Sequence, residues 1–127
     1  MYNTKIGEFG CIKHATIPHL AASPDGINIK KNNSRYGRLL EVKNIVNREI
    51  NGIPKKEYWV QMQMQMECLN LDDCDFMETR FKEYPTEEDF DDDGSFNFTK
   101  EGKIKGVIMC FYANARPLYK YAPFQCS

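Results

Sequence analysis

Asp25, in the run Ser23-Pro24-Asp25-Gly26, and the triplet Glu41-Val42-Lys43 are the residues of this chain best suited to do chemistry. Two carboxylates that converge can hold a divalent cation. An ammonium beside them steadies the negative charge on an attacking water and on phosphate, which is what hydrolysis of a phosphodiester needs. Asp25 follows Ser-Pro and precedes Gly, so a turn presents its carboxylate next to the following strand. Glu41 and Lys43 stand two apart on an apolar strand and therefore share a face. Taken singly, a Pro-Asp-Gly is usually a turn making its own hydrogen bonds, and a Glu-x-Lys is usually an exposed pair. On neighbouring strands, however, Asp25 and Glu41 can share one cation, and oxygen ligands of this kind favour Mg²⁺ or Mn²⁺ with waters filling the octahedron.

The elements that must position these residues can be read in outline. Residues 9–14 and 27–30 read as short strands, and a polar, turn-rich loop over 31–37 leads into a strand over 38–43, which makes a hairpin. Gly52-Ile53-Pro54 ends an irregular connection, with Pro54 suited to the first turn of a helix. The stretch 54–70 is ambiguous, because Gln61-Met62-Gln63-Met64-Gln65-Met66 alternates with period two. Its Gln, Met, Glu and Lys content and its length favour a helix, with Tyr58, Gln61, Met62, Gln65 and Leu69 along one side. Strands are expected at 74–82, 104–113 and 119–121, the last stopped by Pro123, with an acidic, partly helical loop over 85–94. The expected class is α/β with a central mixed sheet flanked by helices.

At 127 residues the chain is one domain long, with the hydrophobic content of a globular protein. It shows no apolar span of membrane length and no secretory h-region after Met1, which points to an intracellular protein without a membrane partner. Five cysteines (Cys11, Cys68, Cys74, Cys110 and Cys126) form an odd set with no CxxC spacing. They read as reduced thiols, so any metal is expected to be held by oxygen. The net charge of −1 hides a division: residues 72–93 hold 11 of the 18 acidic residues but only Arg80 and Lys82 of the 17 basic ones, a net of −9 that leaves +8 on the remainder. That remainder is basic enough for phosphate contacts.

The helix contributes a third group. Tyr58 and Gln61 are three apart and project from one face, and a glutamine there can orient a water or hold a phosphate oxygen without adding charge. Together Ser23-Pro24-Asp25-Gly26, Glu41-Val42-Lys43 and Tyr58-x-x-Gln61-x-Gln63 resemble the YqaJ-type viral recombinase nucleases, the group that includes phage lambda exonuclease, within the PD-(D/E)XK superfamily. Gly10-Cys11-Ile12-Lys13-His14, and His19-Leu20-Ala21-Ala22 leading into Ser23, are also similar to that family's approach strand, and the resemblance runs over about residues 7–113. It implies a restriction-endonuclease-like core. It implies a Mg²⁺ site, with Mn²⁺ as substitute, ligated by Asp25, Glu41 and the Val42 carbonyl. Lys43 would lie near the attacking water and Gln61 would position that water or the scissile phosphate. Ser23 would stand near a terminal 5′-phosphate, with Tyr58 supporting the site. The implied activity is 5′→3′ exonuclease action on duplex DNA ends in recombination or viral genome processing. The family also implies a homo-oligomer and a single-strand annealing protein as partner. Its members carry an N-terminal helical region, most of which this chain starts too late to hold, so the expectation is a single nuclease core over 1–127, either a fragment lacking those helices or a reduced core.

Three other readings follow from the same residues. One is an endonuclease or repair nuclease of the same fold; another is a nucleic-acid-binding domain without catalysis. The third is a calcium-responsive module, because Asp89-x-Asp91-x-Asp93-Gly94 begins like an EF-hand loop, although its twelfth position is Lys100 where a bidentate Glu is needed.

Overall fold

A computed structural model describes residues 3–122, which fold into two compact units, one ending at Phe81 and the other beginning at Lys82. Pro123 and Cys126, both named in the sequence reading, lie outside the described residues.

In the first unit, β1 (Ile6–Gly7) is followed by a small antiparallel hairpin of β2 (Ile12–Lys13) and β3 (Ala21–Ala22), with Ile12 opposite Ala22. His14 closes the turn, its Nδ1 accepting the N–H groups of Thr16 at 3.1 Å and Ile17 at 3.0 Å. Of the strand expected over 9–14 only Ile12–Lys13 forms, because Gly10 takes a left-handed φ of 64° that interrupts extended backbone. Next come β4 (Gly26–Asn28) and β5 (Leu39–Asn44), antiparallel with Gly26 opposite Leu40. Gly26 is favoured by packing, since a Cβ there would collide with the Ile6 side chain of β1.

The helix α1 (Lys56–Leu69) settles the period-two ambiguity in favour of helix formers over alternation. Its buried residues Met62, Gln65 and Cys68 recur every three positions, a helical and not a strand repeat. It starts two residues after Pro54, with Lys55 as N-cap, and ends where Asn70 turns left-handed (φ 52°) and the N–H of Leu71 reaches back to Met66 O. β6 (Cys74–Thr79) then runs parallel to β5, so α1 is the crossover that a parallel pair requires. The resulting sheet has the order β1-β4-β5-β6, antiparallel except for its last pair. Leu39, Ala22, Ile45, Met62 and Cys68 form the buried apolar set of this unit, and α1 also touches the β2–β3 hairpin, where Cys68 Sγ lies 3.4 Å from Ile12 O.

The second unit contains α2 (Glu87–Asp92) and a hairpin of β7 (Val107–Ala113) and β8 (Arg116–Ala122). Asn114 and Ala115, at φ 51° and 60°, make the two-residue turn that suits the twist of such a hairpin. Thr86 caps α2 by accepting the Asp89 N–H at 3.1 Å. The EF-hand reading fails here, because Asp89 and Asp91 are part of a helix and cannot wrap a cation. Asp93 is already engaged, taking the Tyr84 hydroxyl at 2.6 Å and the Lys100 N–H at 3.0 Å. The cation at this place is internal: Lys105, 4% exposed, donates to the carbonyls of Phe90 and Asp93 and lies 4.0 Å from the Phe90 ring centroid. No helix among the described residues is long and apolar enough to cross a membrane.

Candidate active site

β5 carries two of the sequence-predicted residues on one face, and α1 covers that face. Strand alternation puts Leu39, Glu41 and Lys43 together, with Leu39 fully buried and Glu41 only 1% exposed. A carboxylate so deep must be compensated, since an unpartnered buried charge costs several kcal/mol or shifts to its neutral form. Three donors meet it. The Lys43 ammonium contacts Oε1; Gln61 Nε2 donates to the same oxygen at 2.8 Å; Gln65 Nε2 donates to Oε2 at 3.2 Å. The reading of Glu41 and Lys43 as an exposed pair is therefore excluded.

Asp25 reaches the same strand by a different route. The β4–β5 pairing Gly26↔Leu40, continued by one residue, brings Asp25 across from Glu41. The next backbone pair would involve Pro24, which has no N–H to return a ladder bond. Asp25 Oδ2 takes over as acceptor, receiving the Val42 N–H at 2.7 Å. This fixes an exposed carboxylate against the backbone beside Glu41 and leaves Oδ1 without a hydrogen bond among the described residues.

Tyr58 supports the ammonium, its ring centroid 5.2 Å from Lys43 Nζ, and packs 6.2 Å from the ring of Phe76. Phe76 is the β6 partner of Glu41 in the parallel register and so walls the site on the sheet side. Lys43 pairs in register with Glu78, whose buried carboxylate contacts the Arg48 guanidinium, while Arg48 also donates to Ile53 O at 3.2 Å. That contact ties the connection after β5 to β6. Burial, first, and then the charges of Glu41 and Asp75 push the Cys74 thiol up to about 11, which keeps this neighbour neutral and unreactive.

Asp25, Glu41, Lys43, Gln61 and Tyr58 thus gather at one place, with Val42 between them. Ser23 is exposed on the approach to Asp25 and makes no hydrogen bond with the others among the described residues. Gln63 points away and is exposed. Gln65, Phe76 and the Arg48–Glu78 pair were not assigned to the site from sequence. For Gln65 the signal was present, since it stands four residues after Gln61 and hence on the same helix face.

Among the described residues no three His, Cys, Asp or Glu side chains cluster as a metal site. Two carboxylates and a main-chain carbonyl nevertheless fit Mg²⁺, which is held by one or two carboxylates while waters and substrate oxygens fill the remaining positions.

The family model for the YqaJ-like viral recombinase domain matches residues 1–72, more than half of the chain and all of the site except Phe76 and Glu78. The match is shorter than the 7–113 read from motifs, and β6 and the second unit lie beyond it. The chain is also similar to an uncharacterized protein of Acanthamoeba polyphaga mimivirus, 39% identical over 69% of this chain, and it spans about 18% of that relative's length.

Proposed function

This chain belongs to the YqaJ-like viral recombinase domain family, whose members are nucleases, and on that footing we propose that it is a metal-dependent deoxyribonuclease acting 5′→3′ on duplex DNA ends. The observation that carries the reading is the buried Glu41 carboxylate, gripped by Lys43 and Gln61, with the Asp25 carboxylate fixed on the neighbouring amide. In an ordinary fold such a charge is a cost, and its presence here with a full set of donors marks a site held ready for chemistry.

In this reading Asp25, Glu41 and the Val42 carbonyl hold Mg²⁺, or Mn²⁺ in its place, which supplies Lewis acidity toward a phosphate oxygen and water. Lys43 places a positive charge where negative charge builds on the phosphoryl oxygens as water attacks phosphorus and the bond to the 3′-oxygen breaks, leaving a 5′-phosphate and a 3′-hydroxyl. Gln61, at the exposed end of the helix face, orients the water or a phosphate oxygen by hydrogen bonding. Tyr58 keeps the ammonium in position, and Ser23 offers a hydroxyl to a terminal 5′-phosphate. The family extends the proposal to a homo-oligomer and to a single-strand annealing partner, and the viral relative supports action inside an infected cell.

Linear and closed circular duplex DNA should be incubated with the protein and Mg²⁺. Degradation of the linear form alone, lost in Glu41→Ala and Lys43→Ala, is the expected result. Cutting of closed circles would move the assignment to an endonuclease, and salt-sensitive binding without cleavage in Mg²⁺ or Mn²⁺ would make it a binding domain. Undiminished cleavage by either variant refutes the site.

A further inference from the structure

The floor of the Glu41 site holds a side chain that the chemistry above does not use. Gln65 is 6% exposed, lies on the buried face of α1 between Met62 and Cys68, and donates to Glu41 Oε2 at 3.2 Å. Gln61, one helical turn earlier, is exposed and donates to Oε1, the oxygen that Lys43 also contacts. The carboxylate is therefore held asymmetrically, with one oxygen turned toward the accessible groups and the other tied to the core. The torsion that rotates a Glu carboxylate is broad, and donors on one oxygen restrain it only in part. A buried donor on the second oxygen holds the plane from its other side. This placement has a cost, because Gln65 Oε1 is buried without a hydrogen-bond partner in the described structure, and a methionine like Met62 would fill the helix face without it. Local costs of this kind are characteristic of positions selected for a site.

We propose that Gln65 is a positioning residue for the nuclease reaction, fixing the Glu41 carboxylate plane so that Oε1 is presented to the divalent cation. This rests on the function proposed above. Mn²⁺ binding to the whole chain should be measured by titration calorimetry without DNA, beside steady-state cleavage of linear duplex DNA. Gln65→Met should bind Mn²⁺ about 10–100-fold more weakly, as loss of an outer partner of a metal ligand does, and lose a similar factor in kcat with KM for DNA unchanged. Mn²⁺ binding by Q65M within about twofold of wild type, or a loss confined to KM, overturns the inference while leaving the nuclease reading intact. Wild-type protein that neither binds Mn²⁺ nor cuts DNA overturns both. If circular dichroism shows Q65M unfolded, Gln65→Asn, one methylene too short to reach Oε2, is judged by the same measurements. Unfolding of both variants assigns Gln65 to the fold and also overturns the inference.

Discussion

Replacing Lys43 with Met removes the one cation that, among the described residues, contacts a carboxylate only 1% exposed, and the cost can be worked from the surroundings of Glu41. Breaking a fully buried ion pair by deleting one partner costs about 3–5 kcal/mol. Two features reduce that here. Lys43 is itself 24% exposed, so water can follow its removal, and the Gln61 and Gln65 amides still donate to the carboxylate. An expected loss of about 2 kcal/mol follows, equivalent to roughly 8–16 °C in melting temperature for a unit of this size. Glu41→Gln is different, because its remaining oxygen can still accept from Gln61, its amide can donate to the otherwise unpartnered Gln65 Oε1, and the partly exposed ammonium is freed to hydrate. Its cost should be below about 1 kcal/mol. The double variant should then recover at least half of the Lys43→Met loss, a coupling of about 1 kcal/mol or more. Trp59, the one tryptophan in the sequence, lies on α1 at 53% exposure, so its fluorescence during urea unfolding follows the unit that holds the site. A Lys43→Met protein as stable as wild type, or a double variant no better than Lys43→Met, would refute this account of the buried charge.

Other outcomes can be checked alongside. Asp25→Asn keeps an acceptor for the Val42 N–H and should retain its fold while losing DNA cleavage, whereas Asp25→Ala should also lose about 1 kcal/mol of stability in urea titrations. In the second unit the Tyr84 hydroxyl, more than any other group, holds the Asp93 carboxyl below its ordinary range, and Asp93 in turn pushes Tyr84 up to about 12. The Asp93 contribution to stability is present above the ordinary carboxylate range and disappears as pH falls through the lowered value. The Tyr84 contribution is full below pH 10 and is lost as pH rises toward about 12. Absorbance titration of tyrosinate should show the late ionisation vanish in Asp93→Asn, and an unchanged titration would contradict the hydrogen bond. Thiol labelling at neutral pH, mapped by mass spectrometry, should modify exposed Cys11 and Cys110 well before Cys74, whose thiol is pushed up to about 11. Equal labelling rates would show that Cys74 is not shielded.

Much of this arrangement was legible before the fold was known. The hairpin of β4 and β5, the same-face placement of Glu41 and Lys43 and the helical state of residues 56–69 follow from turn chemistry, strand alternation and helix propensity, all of which act over a few residues. The acidic run over 87–93 was less readable, because spacing of carboxylates along a chain does not distinguish a cation loop from a capped helix. Thr86 at one end and the distant Lys105 ammonium decide for the helix.

By itself the sequence determined which residues could do phosphodiester chemistry, that Glu41 and Lys43 share a strand face, and that a turn presents Asp25 beside the strand that follows it. Tertiary structure alone decided that Glu41 is buried and not an exposed partner of Lys43, since that depends on α1 crossing over this face of β5. It also decided which glutamines meet that carboxylate. A turn of about 100° per residue sets Gln61 and Gln65 on one face and Gln63 on another. Which face meets the carboxylate is fixed only when Met62 and Cys68 bury against the sheet and the β2–β3 hairpin, a long-range contact that no local pattern encodes.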